Sequence, residues 1–215
     1  MSAYRRFVTM AILTGVVLIM AGSAFANCPV PGTSVTFFGE NQVQFAPIPS
    51  DLYDLDHSCA YTWGINYELP QGQYVDFASI TFTDIRNWQN EPNTLFVNLL
   101  DSAAYGVSTA IDSPVAGNFF GSVAGAQELF QYSDADASTF ETFTYTFNAG
   151  QLTALNAALA DANFGIGFDP DCHYYNNGIK MDISTKVVPE PVSCILFVVG
   201  AGVFGAAAAR RRRSA

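Results

Sequence analysis

The stretch Phe140-Glu141-Thr142-Phe143-Thr144-Tyr145-Thr146-Phe147 decides the fold. Thr142, Thr144 and Thr146 alternate with Phe143, Tyr145 and Phe147, so an extended chain would carry hydroxyls on one face and rings on the other. That period of two belongs to a strand with one buried and one wet face, and β-branched and aromatic side chains suit such a pleated surface. The signal recurs outward in both directions, in SVTFFG (34–39), YTWGINYEL (61–69), FASITFTDI (77–85), TLFVNLLD (94–101), FGIGFD (164–169) and GIKMDIS (178–184). Turn-forming clusters such as LPQGQ, NEPN, NAGQ and NNG separate the runs. One segment departs from the pattern: NAGQLTALNAALADAN (148–163) sets Leu152, Leu155 and Leu159 at helical spacing and predicts a short helix at one end of the sheets. Seven or eight strands with one helix predict a mainly-β domain, an antiparallel β-sandwich of jelly-roll type. Residues 102–138 are rich in small side chains without a clear period and read as long loops.

Both ends of the chain lie outside that domain. Residues 1–26 carry Arg5 and Arg6, an apolar stretch from Phe7 to Ala21, and small residues at Ala24 and Ala26. This is the three-part order of a secretory signal peptide, cut after Ala26 by signal peptidase following passage through the general secretion machinery. Residues 27–187 form the exported domain and 188–215 a tail. Within the tail, Val192 to Ala209 is a run of 18 residues without a charge, near the minimum for one transmembrane helix. Arg210, Arg211, Arg212 and Arg213 follow and hold its end on the cytoplasmic side. Gly200, Gly202, Gly205 and five alanines make the span weakly hydrophobic, which suits transient residence.

Val188-Pro189-Glu190-Pro191, the apolar run and the terminal arginines together resemble the PEP-CTERM sorting signal of Gram-negative bacteria. The resemblance covers residues 188–215 and implies recognition of Pro189, Glu190 and Pro191 by a membrane-embedded exosortase that removes the tail. It further implies a cell-surface or extracellular destination in cells that make extracellular polysaccharide. The hydrophobic tail is then an address that the mature protein lacks, as in a GPI signal.

The chain has 215 residues and a net charge of -10, but six of its nine basic residues lie in the two ends. The exported domain keeps Arg86, Lys180 and Lys186 against 18 carboxylates, a balance of -15. Such a surface excludes nucleic acid as a partner and suits cations, polysaccharide or water.

Of four cysteines, Cys194 leaves with the tail, and Cys28, Cys59 and Cys172 remain. Export favours disulfides, and DLYDLDHSCAY and DPDCHYYNNG are similar polar settings, so a Cys59–Cys172 bond is expected; Cys28 with Cys59 is the alternative. His57 and His173 flank the same cysteines, but their spacing is not that of a zinc site. If the loops meet, Asp54, Asp56, Asp169 and Asp171 converge, and a structural calcium ion would relieve their repulsion. No other cofactor is suggested. The alternative is ordinary turn chemistry, in which Asp bonds its own backbone.

The sequence has no Gly-x-Ser-x-Gly elbow, phosphate loop or His-Glu-x-x-His motif. The expected function is therefore non-enzymatic: a surface or extracellular-matrix protein of the exopolysaccharide or biofilm layer. The alternative is a calcium-stabilised carbohydrate-binding module using aromatics such as Trp88 and Tyr174, with Trp63 and Tyr175 as further candidates. A glycan hydrolase built on paired acids is the third reading.

Overall fold

The structure, a computed structural model, describes residues 32–112 and 117–188. The segment read as a signal peptide with Ala24 and Ala26, Cys28, the Pro189-Glu190-Pro191 motif, the apolar run with Cys194 and Arg210 to Arg213 lie outside the described residues. Among those described, no helix is long and apolar enough to cross a membrane.

In chain order the strands are β1 (Thr33–Phe37), β2 (Gln42–Pro47), β3 (Cys59–Asn66), β4 (Gln73–Asn87), β5 (Asn93–Leu100) and β6 (Gly106–Ile111). Then come β7 (Ala126–Asp134), β8 (Glu141–Thr146), the helix α1 (Ala149–Ala158), β9 (Asn163–Pro170), β10 (Tyr174–Tyr175) and β11 (Gly178–Val187). They build two sheets, one ordered β1-β2-β11-β4-β10 with β8 also on β4, the other β6-β3-β9-β5-β7. Every pairing is antiparallel.

The two sheets share one core. Phe45, Ile80, Phe82 and Met181 enter it from the first sheet, and Trp63, Val97, Ile166 and Phe168 from the second; all eight are fully buried. Phe82 meets Phe168 edge-on across the layers at 6.0 Å. Burying each such side chain contributes about 1.5–3 kcal/mol against the entropy of ordering the chain. The chain is thus mainly β, antiparallel, with one short helix, consistent with a β-sandwich.

Strand β8 follows the alternation read from its sequence. Phe143 and Tyr145 pack on the core and Tyr145 stacks on Phe130 at 4.2 Å, while Thr142, Thr144 and Thr146 face out. Thr144 and Thr81 pair through their hydroxyls at 3.0 Å. Helix α1 starts at Asn148, whose side chain accepts from Gln151 N–H while Gln151 Oε1 accepts from Asn148 N–H, so two orphan donors are satisfied at once. Leu155 and Leu159 are buried and Leu152 packs partly against the core. Asn156 exchanges hydrogen bonds with the backbone of Val75 at 2.8 Å in both directions, tying the helix to β4.

The residues read as long loops also contain β6, β7 and a turn of 3-10 helix at Phe119–Ser122. Strand β6 is an edge whose last four residues are exposed. In β7, Val97 opposes Phe130 but Asn98 opposes Glu128, so Leu129 is an extra residue that breaks the period of two.

Strands β6 and β7 lie at opposite edges of the second sheet, so their connection must cross its outer face. The crossing is seated on Asp169, a 1 % exposed carboxylate on β9 whose Oδ2 accepts from Phe119 N–H at 2.6 Å. Burial, with the charges of Asp112 and Asp171, pushes the Asp169 carboxyl up to about 6 against the opposing pull of that N–H. A carboxyl raised above its unfolded value of about 4 favours the fold below that pH, and the contribution is lost as pH rises through about 6. Asp169→Asn keeps an acceptor for Phe119 and removes the charge. Its stability should therefore gain on wild type between about pH 4 and 7, by on the order of 2 kcal/mol, seen as a rising difference in melting temperature. Parallel melting curves across that range would refute this.

Candidate functional site

Strand β4 would send Asp84, Arg86 and Trp88 to the core if it kept the parity of Ala78, Ile80 and Phe82. It does not. Phe82 opposes Phe143 on β8 while Ile85 opposes Glu141, so β4 carries one extra residue there, with Asp84 at φ 49°. This bulge shifts the parity, so Ile85 and Asn87 turn inward and Arg86 and Trp88 turn out. Strand β10 pairs with this shifted end: Tyr174 sits opposite Asn87, Tyr175 opposite Arg86, and Trp88 N–H donates to His173 C=O at 2.9 Å.

The outward residues form one aromatic group. His173 lies 4.7 Å from Tyr175, and Trp88 lies 5.6 Å from His173 and 6.2 Å from Tyr175 between ring centres. The Arg86 guanidinium is stacked over Tyr175 at 4.9 Å and Phe140 at 4.3 Å, and Nη1 donates to Ala137 C=O at 2.9 Å. Trp88 is 54 % exposed, as its loop-like sequence context suggested. Tyr174 is not a surface contact. As the inward member of a two-residue strand it is fully buried, edge-on to Tyr132 at 5.8 Å, and the accessible partner of Trp88 is Tyr175. Trp63 is likewise buried, its indole N–H given to Thr33 Oγ1 at 3.0 Å.

Beside this group opens a cavity of about 370 Å³, lined by Trp88, His173, Cys172 and His57 and by the polar side chains of Gln89, Glu91, Asn93 and Asp171. The turn that presents Trp88 is folded around Asn87. Asn87 Nδ2 donates to Glu91 C=O at 2.8 Å and Asp134 C=O at 2.6 Å, and Oδ1 accepts from Gln89 N–H and Asn93 Nδ2. Gln89 also contacts the Glu91 carboxylate through its side chain.

Two kinds of cost collect at this end of the fold. Leu52, Tyr53, Asp54 and Leu55 are four consecutive left-handed residues, with φ of 49°, 56°, 58° and 44°. Each costs about 1–2 kcal/mol. They are held by Leu52 and Leu55 in the core, by Asn176 Nδ2 donating to Asp51 C=O at 2.9 Å, and by Asp56 N–H donating to Tyr61 Oη at 2.8 Å. Arg86 Nε, His173 Nε2 and Tyr174 Oη are buried without a hydrogen-bond partner, three of the four such atoms among the described residues. Strain and unsatisfied polar atoms concentrate where structure serves something other than stability.

The loops carrying Cys59 and Cys172 do meet, since Asn176 N–H donates to Asp54 Oδ1 at 3.3 Å and Tyr174 N–H to Leu55 C=O at 3.4 Å. Among the described residues the expected Cys59–Cys172 bond is not made, and the alternative partner Cys28 lies outside them. Cys59 opens β3 opposite Ile111 of β6, whereas Cys172 lines the cavity with Gln89 Nε2 3.5 Å from its sulfur. Burial, with the charge of Glu91, pushes the Cys172 thiol up, so it is not an activated nucleophile.

The four aspartates expected to share a calcium ion are divided among different tasks. Asp54 accepts from Asn176 N–H, Asp56 lies 3.0 Å from His57 Nδ1, Asp169 holds Phe119, and Asp171 lines the cavity. Among the described residues, no group of three or more His, Cys, Asp and Glu side chains is arranged to hold a metal. Comparison with family models, with curated proteins and with solved structures yields no match.

Proposed function

We infer that this is an exported, non-enzymatic protein of the cell surface or extracellular polysaccharide matrix, delivered through exosortase, with its domain a sandwich of jelly-roll type. The observation that carries the reading is the order of parts at the C-terminus: Val188-Pro189-Glu190-Pro191, an uncharged run, then four arginines. Strand β11 ends at Val187, so the motif follows the last strand directly and a cut there would leave the folded domain whole. In this reading the chain crosses the inner membrane transiently and is then released or held in the polymer layer.

Intact mass of the protein recovered from cells with and without exosortase tests the reading. The expected species begins near Asn27 and ends near Pro189, and the full tail persists only in the exosortase-deficient strain. A retained tail in both strains would overturn the reading and make the protein a membrane-anchored one.

A second reading, a carbohydrate-binding module, is favoured by the exposed Trp88 beside a cavity lined by amides and carboxylates. Sugars are bound by such a combination of a ring face and convergent polar groups. Binding measured with calcium and with chelator would show whether the ion contributes to the site. Glu91 and Asp171 line the same cavity, which is the feature a glycan hydrolase would use; turnover of a bound oligosaccharide would establish that third role.

A further inference from the structure

The cavity at Trp88 carries two carboxylates, Glu91 and Asp171, that no lysine or arginine among the described residues pairs with. Among the described residues the ion pairs join His57 to Asp56, Lys180 to Asp182 and Lys186 to Asp76, and none involves Glu91 or Asp171. Arg86, the cation of the neighbouring aromatic group, is committed to Ala137 C=O and to the faces of Phe140 and Tyr175. Burial and the charge of Asp112 push the Asp171 carboxyl up, so an added cation would relieve an existing repulsion.

We propose that this cavity binds an amino-sugar residue with a free ammonium group, within a glycan of that class. The apolar face of the pyranose lies on the indole of Trp88, and the ammonium meets Glu91 and Asp171. The ring hydroxyls are served by the side-chain amides of Gln89 and Asn93. A neutral sugar would use the ring and the amides but leave the carboxylates unneutralised, and an acidic sugar would be repelled by them. A quaternary ammonium would use the ring faces but offers nothing to the amides. The volume of about 370 Å³ lies at the small end for ligand sites, which fits one or two sugar rings rather than a long groove. The inference rests on the carbohydrate-binding reading and adds the chemistry of the sugar to it.

The test is titration calorimetry on the full chain, purified in mild detergent, with four tetrasaccharides: of glucosamine, N-acetylglucosamine, glucose and a uronic acid. Tetramethylammonium is a fifth ligand. The glucosamine tetramer should bind at least tenfold tighter than its N-acetylated form. Trp88→Ala and Glu91→Gln should each weaken it about tenfold or more, while Glu68→Gln, at an exposed site elsewhere, leaves it unchanged. Equal affinity for the glucosamine, N-acetylglucosamine and glucose tetramers would overturn the amine preference and leave the carbohydrate reading standing. No binding to any tetrasaccharide would overturn both. Binding of tetramethylammonium alone would replace the sugar by a simple cation. Glucosamine binding untouched by Trp88→Ala and Glu91→Gln would mean diffuse attraction to the acidic surface and would overturn the site.

Discussion

Gly64→Ala should abolish folding, or destabilise the domain by more than about 4 kcal/mol. Gly64 sits in β3 between Gly106 of β6 and Gly165 of β9, on the outer face of the second sheet. A Cβ placed there would stand 1.9 Å from the carbonyl oxygen of Ala104 and 2.6 Å from its carbon, both backbone atoms. The obstacle cannot rotate away as a side-chain tip could. The passing segment is also clamped, because Ala103 N–H donates to Asn163 Oδ1 and Asn163 Nδ2 donates to Ala103 C=O, each at 2.8 Å. The new methyl must therefore either part the segment from the sheet or displace β3 from the core, where Trp63 and Ile65 are fully buried. Urea unfolding followed by circular dichroism measures this, and a variant whose midpoint stays near wild type would refute it.

Asn87→Ala should cost about 3 kcal/mol and dismantle the cavity while the rest of the sandwich stays folded. Asn87 is fully buried and makes four side-chain hydrogen bonds, three of them within the 87–93 turn. Alanine leaves Asp134 C=O without this donor and Glu91 C=O with only the longer 3.4 Å bond from Asn93 Nδ2. Without its central ties the turn unwinds toward solvent, which carries Trp88 away from His173. Trp63 in the core and Trp88 at the surface report separately on the two events. The expected result is a redder indole emission below the unfolding transition and loss of ligand binding, with a far-ultraviolet spectrum like that of wild type. Unchanged emission with intact binding would show that the turn does not depend on Asn87. Asn87→Asp restores the acceptor alone and should behave like the alanine variant.

Much of the sheet was legible because the signal is local. The alternation of Phe143 and Tyr145 with threonines is a property of consecutive residues, and β3, β4, β5, β9 and β11 show similar enrichment. The helix was legible for the same reason, from Leu152, Leu155 and Leu159. Strands β6 and β7 were not. An exposed edge such as Gly106–Ile111 needs no apolar face, and the extra residue at Leu129 interrupts the alternation of β7.

The site was legible in part. Trp88 stood out by its context, but the choice between Tyr174 and Tyr175 turned on parity. Adjacent residues in a strand face opposite ways, and which one faces the core depends on register with another strand. Here the register follows from the bulge at Asp84, where β4 takes one residue more than β8. Nothing local in Thr83-Asp84-Ile85 announces it, because a bulge is a mismatch between two strands.

The sequence by itself determined the class of fold, the acidity of the domain and the order of residues at its two ends, because periodicity, charge and motif order are read from neighbouring residues. The tertiary structure decided what lies across from what. It turned Tyr174 inward and Tyr175 out, left Cys59 and Cys172 unjoined although their loops meet, and gave four aspartates separate surroundings. Each of these depends on pairing between strands remote in the chain, and that pairing sets which side chains share a surface.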